Sequence, residues 1–316
     1  MIRAAAERLN PVVRKTPMLN SPFLDEIAGR RVLIKAECLQ HTGSFKFRGG
    51  YSALSGMADI KGVIAYSSGN HAQGVALAAR MHGVTAVIIM PSDAPVSKIE
   101  NTKALGAKVV LYDRANEDRD VIGADLARKN NLTLIKPFDN PLVIAGQGTV
   151  GLEIAAQAAE FGVGSAQVLV PCGGGGLTSG IGIALAAEAS DMLVRTVEPE
   201  GFDDVARSLV QGERLNNTRL SGSICDAIIT QSPGEITFPI LQKYCGTGVV
   251  VSEEECLQAM KHAFAHLKIV IEPGGAVALA AALYHGGKIE GDTVICVATG
   301  GNVDPDMFAR ALAEFP

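Results

Sequence analysis

Three observations predict an α/β protein built on open, parallel-type sheets with helices on both faces. Between Lys61 and Phe138, four apolar runs of strand length (GVIAYS, AVIIM, KVVLY and TLIKPF) alternate with three helically periodic segments, residues 70–82, 94–105 and 117–130. Near-continuous apolar strands separated by helices imply a parallel sheet buried on both sides. Glycine-rich turns join other apolar runs to helices at 41–50 and 172–180, where such folds present ligand-binding groups. Finally, 316 residues with 47% hydrophobic and 19% charged side chains and 35 glycines fit a well-buried soluble protein of two domains. The smaller domain is expected over residues 50–138 and the larger over 1–49 plus 139–316.

In chain order, residues 1–15 read as a charged amphipathic helix, 14–19 as an extended lead-in and 31–37 (RVLIKAE) as a β-branched strand. Next comes HTGSFKFRGG, residues 41–50. Gly43 and Ser44 read as turn and helix cap, so that Lys46 falls in the first turn of a helix continuing to Met57. After the alternating strands and helices, a long helix is expected over 141–160, a strand over 166–172, a helix to Ala189 and a strand over 193–199. Residues 201–246 are too aperiodic to assign. A strand over 249–252 is capped by Ser252 into a helix over 253–268, followed by a helix over 276–285, a strand over 293–299 and a closing helix over 305–315, with no regulatory domain expected beyond it.

Net charge is −5 with both signs spread along the chain, so neither a nucleic-acid nor a membrane partner is expected. With no Trp, five Tyr and ten Phe, base-stacking platforms are not suggested either. Cys38, Cys172, Cys225, Cys245, Cys256 and Cys296 form no C-x-x-C pair or metal-like cluster, which fits reduced thiols in the cytoplasm. The charged N-terminal segment is no signal peptide, and no uncharged apolar run reaches membrane-spanning length.

Four stretches carry chemistry. Lys46 lies between Phe45 and Phe47 at the positive end of a helix dipole, and both surroundings disfavour its ammonium form. A lysine so placed is a nucleophile or Schiff-base former at neutral pH, although alone it also reads as a surface lysine lying over its aromatic neighbours. CGGGGLTSG, residues 172–180, sits between a buried strand and a helix, where adjacent glycines let backbone N–H groups converge on a phosphate. Gly174 and Gly176, with Glu198 about twenty residues on, also nearly fit a dinucleotide fingerprint, which keeps a nicotinamide-dependent oxidoreductase as an alternative. A phosphate cup together with an activated lysine points instead to pyridoxal phosphate. YSSGNHA, residues 66–72, offers Ser67, Ser68, Asn70, His71 and a helix N-terminus to a carboxylate, or reads as a plain cap and turn. ATGGNVD, residues 298–304, places Thr299 at a strand's carboxyl end, where its hydroxyl can meet a pyridine nitrogen.

With these motifs in order, the chain resembles, over its whole length, the fold-type-II pyridoxal-phosphate enzymes of the serine/threonine dehydratase and serine racemase family. GSFKFRGG, SSGNHAQGVALAA, IAGQGTVGLEI, GGGGL and TGGNVD carry the resemblance. It implies two open twisted sheets with the cofactor in the cleft between domains, the larger of them the cofactor-binding one. It also implies that Lys46 forms the internal Schiff base and that Phe45 packs by the ring. Asn70 would bond the phenolic oxygen, the amides of Gly173, Gly174, Gly175, Gly176 and Leu177 the phosphate, and Thr299 the ring nitrogen. EPEGFDD resembles a racemase-like Mg²⁺ or Ca²⁺ site formed by Glu198, the Phe202 carbonyl and Asp204, and reads equally as an acidic helix start. Arg119 lies where such members carry an arginine that reaches a ligand carboxylate, or is a solvated helix residue. His262 and His266 lack the acidic partner of a zinc motif.

The expected activity is a cytoplasmic ammonia-lyase that removes water from L-serine or L-threonine, with a small amino acid as its partner molecule and a homodimer as its assembly. Lys46 acts as general base, and Ser67, Ser68, Asn70 and His71 hold the α-carboxylate. Serine racemase, with Ser68 as the second base, and 3-hydroxyaspartate dehydratase, with Arg119 on the distal carboxylate, are the alternatives.

Overall fold

The computed structural model describes residues 1–113 and 115–314. The chain opens with α1 (Ile2–Leu9), which stops at Asn10 because Pro11 follows, well short of the expected residue 15. There follow β1 (Met18–Asn20), α2 (Pro22–Ala28), β2 (Arg31–Lys35) and α3 (Lys46–Ser55). The alternating segment then gives β3 (Gly62–Tyr66), α4 (Asn70–Met81), β4 (Thr85–Pro91), α5 (Val96–Ala104), β5 (Lys108–Tyr112), α6 (Arg119–Asn130) and β6 (Thr133–Leu134). These reproduce the expected order of strands and helices, but the run TLIKPF is strand only over Thr133–Leu134.

Beyond them lie α7 (Pro141–Gln147), α8 (Thr149–Glu160), β7 (Ala166–Pro171), α9 (Gly176–Glu188) and β8 (Met192–Pro199). The single helix expected over 141–160 is broken at Gly148. There Gly151 N–H donates to the Gly148 carbonyl, a tighter i−3 bond, and the bare Cα of Gly148 lies so close to Gly180 that a Cβ would stand 2.9 Å from the Gly180 oxygen. By length and composition alone the 141–160 segment can cross a membrane, but 67% of its most apolar window is buried inside the protein, as in a core helix.

The aperiodic region holds α10 (Asp204–Gln211) and α11 (Thr237–Tyr244), then β9 (Val249–Val251) and α12 (Glu253–His262). Ser252 caps α12 as expected, in a full capping box with Glu255, and the helix runs on into a π turn over Ala263–Leu267. The chain closes with α13 (Pro273–Tyr284), β10 (Thr293–Val297) and α14 (Pro305–Ala313); Phe315, placed in the closing helix by the sequence reading, lies outside the described residues.

Two sheets result. The larger has the order β1-β2-β10-β7-β8-β9 and is parallel except for β1 against β2; the smaller, β5-β4-β3-β6, is wholly parallel. The expected division at 49/50 falls within α3, which packs against both α4 and α7. A buried ionic cluster anchors that helix: the Arg48 guanidinium donates to both oxygens of Glu37 and both of Glu153, and Lys35 Nζ donates to Glu153, to the Thr16 carbonyl and to Gln157 Oε1. The carboxyl ends of β3, β4, β7 and β10 all open toward one cleft between the sheets, where parallel α/β folds place their ligands.

Candidate active site

Lys46 begins α3 on the cleft wall. Its Nζ donates to the Pro137 carbonyl (3.1 Å) and stands 5.1 Å from the centre of the Phe45 ring. Removal from water lowers its pKa to about 8, against the opposing charge of Glu272, so free amine is present near neutral pH as the minor form. Ser44 does not cap the helix as its sequence suggested. Its backbone bridges to Gly300, and Phe45 occupies the N-cap position with no side-chain bond.

Across the cleft, β7 runs into the glycine turn and α9. Gly175 takes φ +92°, a left-handed conformation that favours glycine, and a Cβ at Gly174 would overlap the Phe138 ring. The first N–H groups of α9 have no intrahelical acceptor and add the helix dipole, a ready anion site. The cleft has a volume of about 310 Å³. Within its lining, Gln147 Oε1 and Thr230 Oγ1 are buried without a hydrogen-bond partner, which marks a polar place that a ligand completes. An anion cup, a partly deprotonated lysine and unpaired polar atoms in one cavity fit a phosphorylated aldehyde such as pyridoxal phosphate.

The third wall is the turn after β3. Ser67 Oγ accepts from Gly69 N–H (3.2 Å), and Ser68 lines the cleft beside it. The Asn70 amide is fixed on both sides: Oδ1 accepts from Asn302 (2.7 Å) and Nδ2 donates to Glu272 (2.6 Å), leaving the second N–H of Nδ2 for a ligand. His71 lines the cleft with its Nε2 at 2.8 Å from the Ile135 carbonyl, and burial with the nearby Lys46 lowers its pKa to about 3, so the ring is neutral. Thr299, buried, ends the fourth side, and its carbonyl accepts from Phe45 N–H. Arg119, at the start of α6, reaches the cleft mouth with Tyr66 and Tyr112.

The structure therefore brings Lys46, Ser67, Ser68, Asn70, His71, Arg119, Thr299 and the glycine turn together. Glu198 and Asp204 lie apart from this cleft. Glu198, at the end of β8, accepts the N–H groups of Val205 (2.9 Å) and Ala206 (2.7 Å), which is the helix-start reading of EPEGFDD. Asp204 Oδ1 accepts from Asn217 (2.6 Å), while Oδ2 is buried and unpaired. Burial, reinforced by their mutual repulsion, pushes Glu198 well up, and burial raises Asp204 to about 7. Phe202 is buried beside them. Among the described residues no group of three or more His, Cys, Asp or Glu side chains is arranged to hold a metal.

Sequence reasoning missed Glu272. It lies just ahead of Pro273, where an acidic residue reads as an ordinary helix start, yet its side chain makes no cap bond and lines the cleft instead.

The chain was compared with known proteins. A family model described as pyridoxal-phosphate dependent enzyme matches residues 9–300. An L-threo-3-hydroxyaspartate ammonia-lyase of Pseudomonas sp is 42% identical over 98% of this chain and 96% of its own length. An L-threonine ammonia-lyase of Thermotoga maritima is 38% identical over 98% of this chain and 77% of its own. Among solved structures, maize serine racemase superposes with a TM-score of 0.90 at 33% identity, covering 99% of this chain and 96% of that one. The family match overturns the dinucleotide reading of Gly174 and Gly176.

Proposed function

The chain belongs to the pyridoxal-phosphate-dependent enzymes, and from that premise we propose that it is an ammonia-lyase that converts L-serine or L-threonine to a 2-oxo acid and ammonia. The observation that carries this reading is Lys46, an amine with a pKa near 8, in the same cleft as the glycine-lined N-terminus of α9. Lys46, Phe45, Asn70, the amides of residues 173–177 and Thr299 would hold the cofactor. Bound pyridoxal phosphate supplies an aldehyde for the substrate amine and a ring that draws electrons from Cα.

The remaining chemistry belongs to this chain's residues. Lys46 would remove the α-proton as general base. Ser67 and Ser68, with the first N–H groups of α4, hold the α-carboxylate at the positive end of that helix, and Asn70 and His71 contribute through the same turn. The α-proton taken by Lys46 and the β-hydroxyl together make up the water lost, and hydrolysis of the released enamine gives the 2-oxo acid and ammonia. Thr299 presents a neutral hydroxyl rather than a carboxylate. Against the ring nitrogen of the cofactor, that hydroxyl would place no formal charge to hold the nitrogen protonated.

Two further readings each have an observation in their favour. Ser68 on the cleft wall suits a second base, hence serine racemase activity. Arg119 at the mouth suits the distal carboxylate of 3-hydroxyaspartate. Incubating the loaded protein with L-serine, L-threonine, D-serine and 3-hydroxyaspartate, and measuring 2-oxo acid and enantiomer together, separates all three; no 2-oxo acid from any of them sinks the lyase reading. If Arg119 recognises the distal carboxylate, Arg119→Ala should lower kcat/KM for 3-hydroxyaspartate by roughly 10- to 100-fold, the loss of a charge-assisted contact, and leave threonine within about twofold. Equal effects on both substrates exclude that role.

Two sheets on either side of the cleft support a division into domains 1–49 plus 139–316 and 50–138. The unpaired Asp204 Oδ2 supports a Mg²⁺ or Ca²⁺ ion with Glu198 and the Phe202 carbonyl. Six free cysteines fit the cytoplasm. An apolar surface groove including Ile2, Leu152, Ile183 and Ile240 suits a second copy in a homodimer.

A further inference from the structure

Tyr66 is the last residue of β3, directly ahead of Ser67 and Ser68, and it lines the cleft. Nothing in the reaction above uses it. Alternation along the strand puts it on the same face as Ile64, where its ring packs in one cluster with Ile89 and Tyr112 under α6. Any large apolar residue could close that cluster. The helix above it needs a different account. α6 has a single glycine, Gly123, in its interior, where glycine weakens a helix relative to alanine. A Cβ at Gly123 would overlap the Tyr66 hydroxyl and the adjoining ring carbons. The bare Cα therefore seats the hydroxyl end of the phenol against the helix.

Arg119 stands four residues before Gly123, so the two are neighbours on one face of α6, roughly 5–6 Å apart at their Cβ positions. That face brings the Tyr66 hydroxyl and the Arg119 side chain together at the mouth of the cleft, and both belong to its lining. Among the described residues the Tyr66 hydroxyl makes no hydrogen bond within the protein. Burial, with the Asp120 charge adding and Arg119 opposing, holds the phenol above its ordinary value, so at neutral pH it is a proton donor. A neutral donor beside a guanidinium, next to the turn that would hold the α-carboxylate, fits an acceptor carried on the substrate's β-carbon. A carboxylate fits best, because it accepts from both donors at once.

We propose that Tyr66 is a specificity-determining residue: seated on Gly123, its hydroxyl donates alongside Arg119 to a carboxylate on the β-carbon of the substrate. The substrate class is then a short β-hydroxy amino acid with a second carboxylate, of which 3-hydroxyaspartate is the smallest member. Gly123 acts one step removed, by fixing where the phenol lies. The inference rests on the lyase reading of the cleft and deepens it, because it names a donor besides Arg119 and the residue that places it.

Two substitutions reach the hydroxyl from opposite sides. Tyr66→Phe keeps the ring that closes the cluster and removes the donor; Gly123→Ala keeps the phenol and forces it off the helix. With the full chain loaded with pyridoxal phosphate, the quantity read is kcat/KM for 3-hydroxyaspartate divided by that for threonine or serine. Tyr66→Phe should lower this ratio about 10-fold, mainly through KM, the scale of one hydrogen bond to a charged group. Gly123→Ala should lower it by a similar factor, and the double variant should fall little further than either, because both changes remove one contact. If Gly123→Ala melts too low to assay, the Tyr66→Phe ratio decides alone. A ratio unchanged in Tyr66→Phe, equal losses on all substrates, or full additivity in the double variant overturns the proposal. So does a wild type that turns over threonine or serine and not 3-hydroxyaspartate. A wild type that forms no 2-oxo acid from any of the three overturns the lyase reading itself, so the two failures are distinguishable.

Discussion

Lys46→Ala is expected to abolish the visible absorbance that wild-type protein gains with pyridoxal phosphate and to lower 2-oxo acid formation by at least about 10³-fold, the scale on which a positioned general base contributes. The size follows from the two uses of one amine. Lys46 is the nucleophile toward the cofactor's aldehyde carbon and then the base for the α-proton, so a single truncation removes tether and base together. The fold should survive the change. Among the described residues the Lys46 side chain makes one hydrogen bond, to the Pro137 carbonyl, while the neighbouring Phe47 and Arg48 hold α3 in place. Absorbance spectra, a 2-oxo acid assay and a melting curve on the same preparation check the expectation. Retained colour and turnover would show that another group does this work.

The cleft was legible because its parts are local. A buried parallel strand must be apolar throughout, so β3, β4 and β5 announce themselves in GVIAY, TAVIIM and KVVLY, and the turns at their carboxyl ends follow. Asn70, Gly174 and Thr299 closely follow the ends of β3, β7 and β10, and Lys46 begins the helix that follows β2, which is why four separated motifs met in one cavity. What stayed hidden depends on partners far along the chain. Ser44 reads as a cap until Gly300, more than 250 residues later, takes its backbone. Glu272 reads as a helix start until Asn70 is known to lie beside it. Gly148 looks like a tolerated helix glycine until α9 is packed against it. Local propensity carries no information about any of these encounters.

The largest loss of stability is expected at Arg48, whose sequence signal was only a charge next to glycines. Its guanidinium is fully buried and donates to Glu37 Oε1 and Oε2 (both 2.8 Å), to Glu153 Oε1 (2.7 Å) and Oε2 (3.0 Å) and to Thr149 Oγ1 (3.2 Å). Arg48→Met fills much of the volume but leaves Glu37 buried with the Thr16 hydroxyl as its remaining direct donor. Breaking a buried pair from one side costs about 3–5 kcal/mol, and melting should fall by roughly 10 °C. Arg48→Lys should fare little better, since one ammonium cannot serve two carboxylates in a fork geometry. The pH dependence distinguishes this account from simple loss of packing. In wild type, burial pulls the Glu37 pKa up, but the charge and bonds of Arg48 outweigh it and the net shift is downward. That stability is therefore present above the unfolded carboxylate pKa and lost as pH falls through the lower folded value. Without Arg48, burial dominates and the folded chain prefers protonated Glu37, so the variant loses stability as pH rises. The deficit should accordingly widen from acid to neutral pH, and Glu37→Gln placed in the Arg48→Met background should recover part of it at neutral pH. A deficit that is independent of pH, or no recovery in the double variant, would mean that the cluster contributes by shape alone. Because Arg48 stands two residues beyond Lys46 on α3, the same variant should bind pyridoxal phosphate more weakly, through loss of the rigid support that aims the lysine into the cleft.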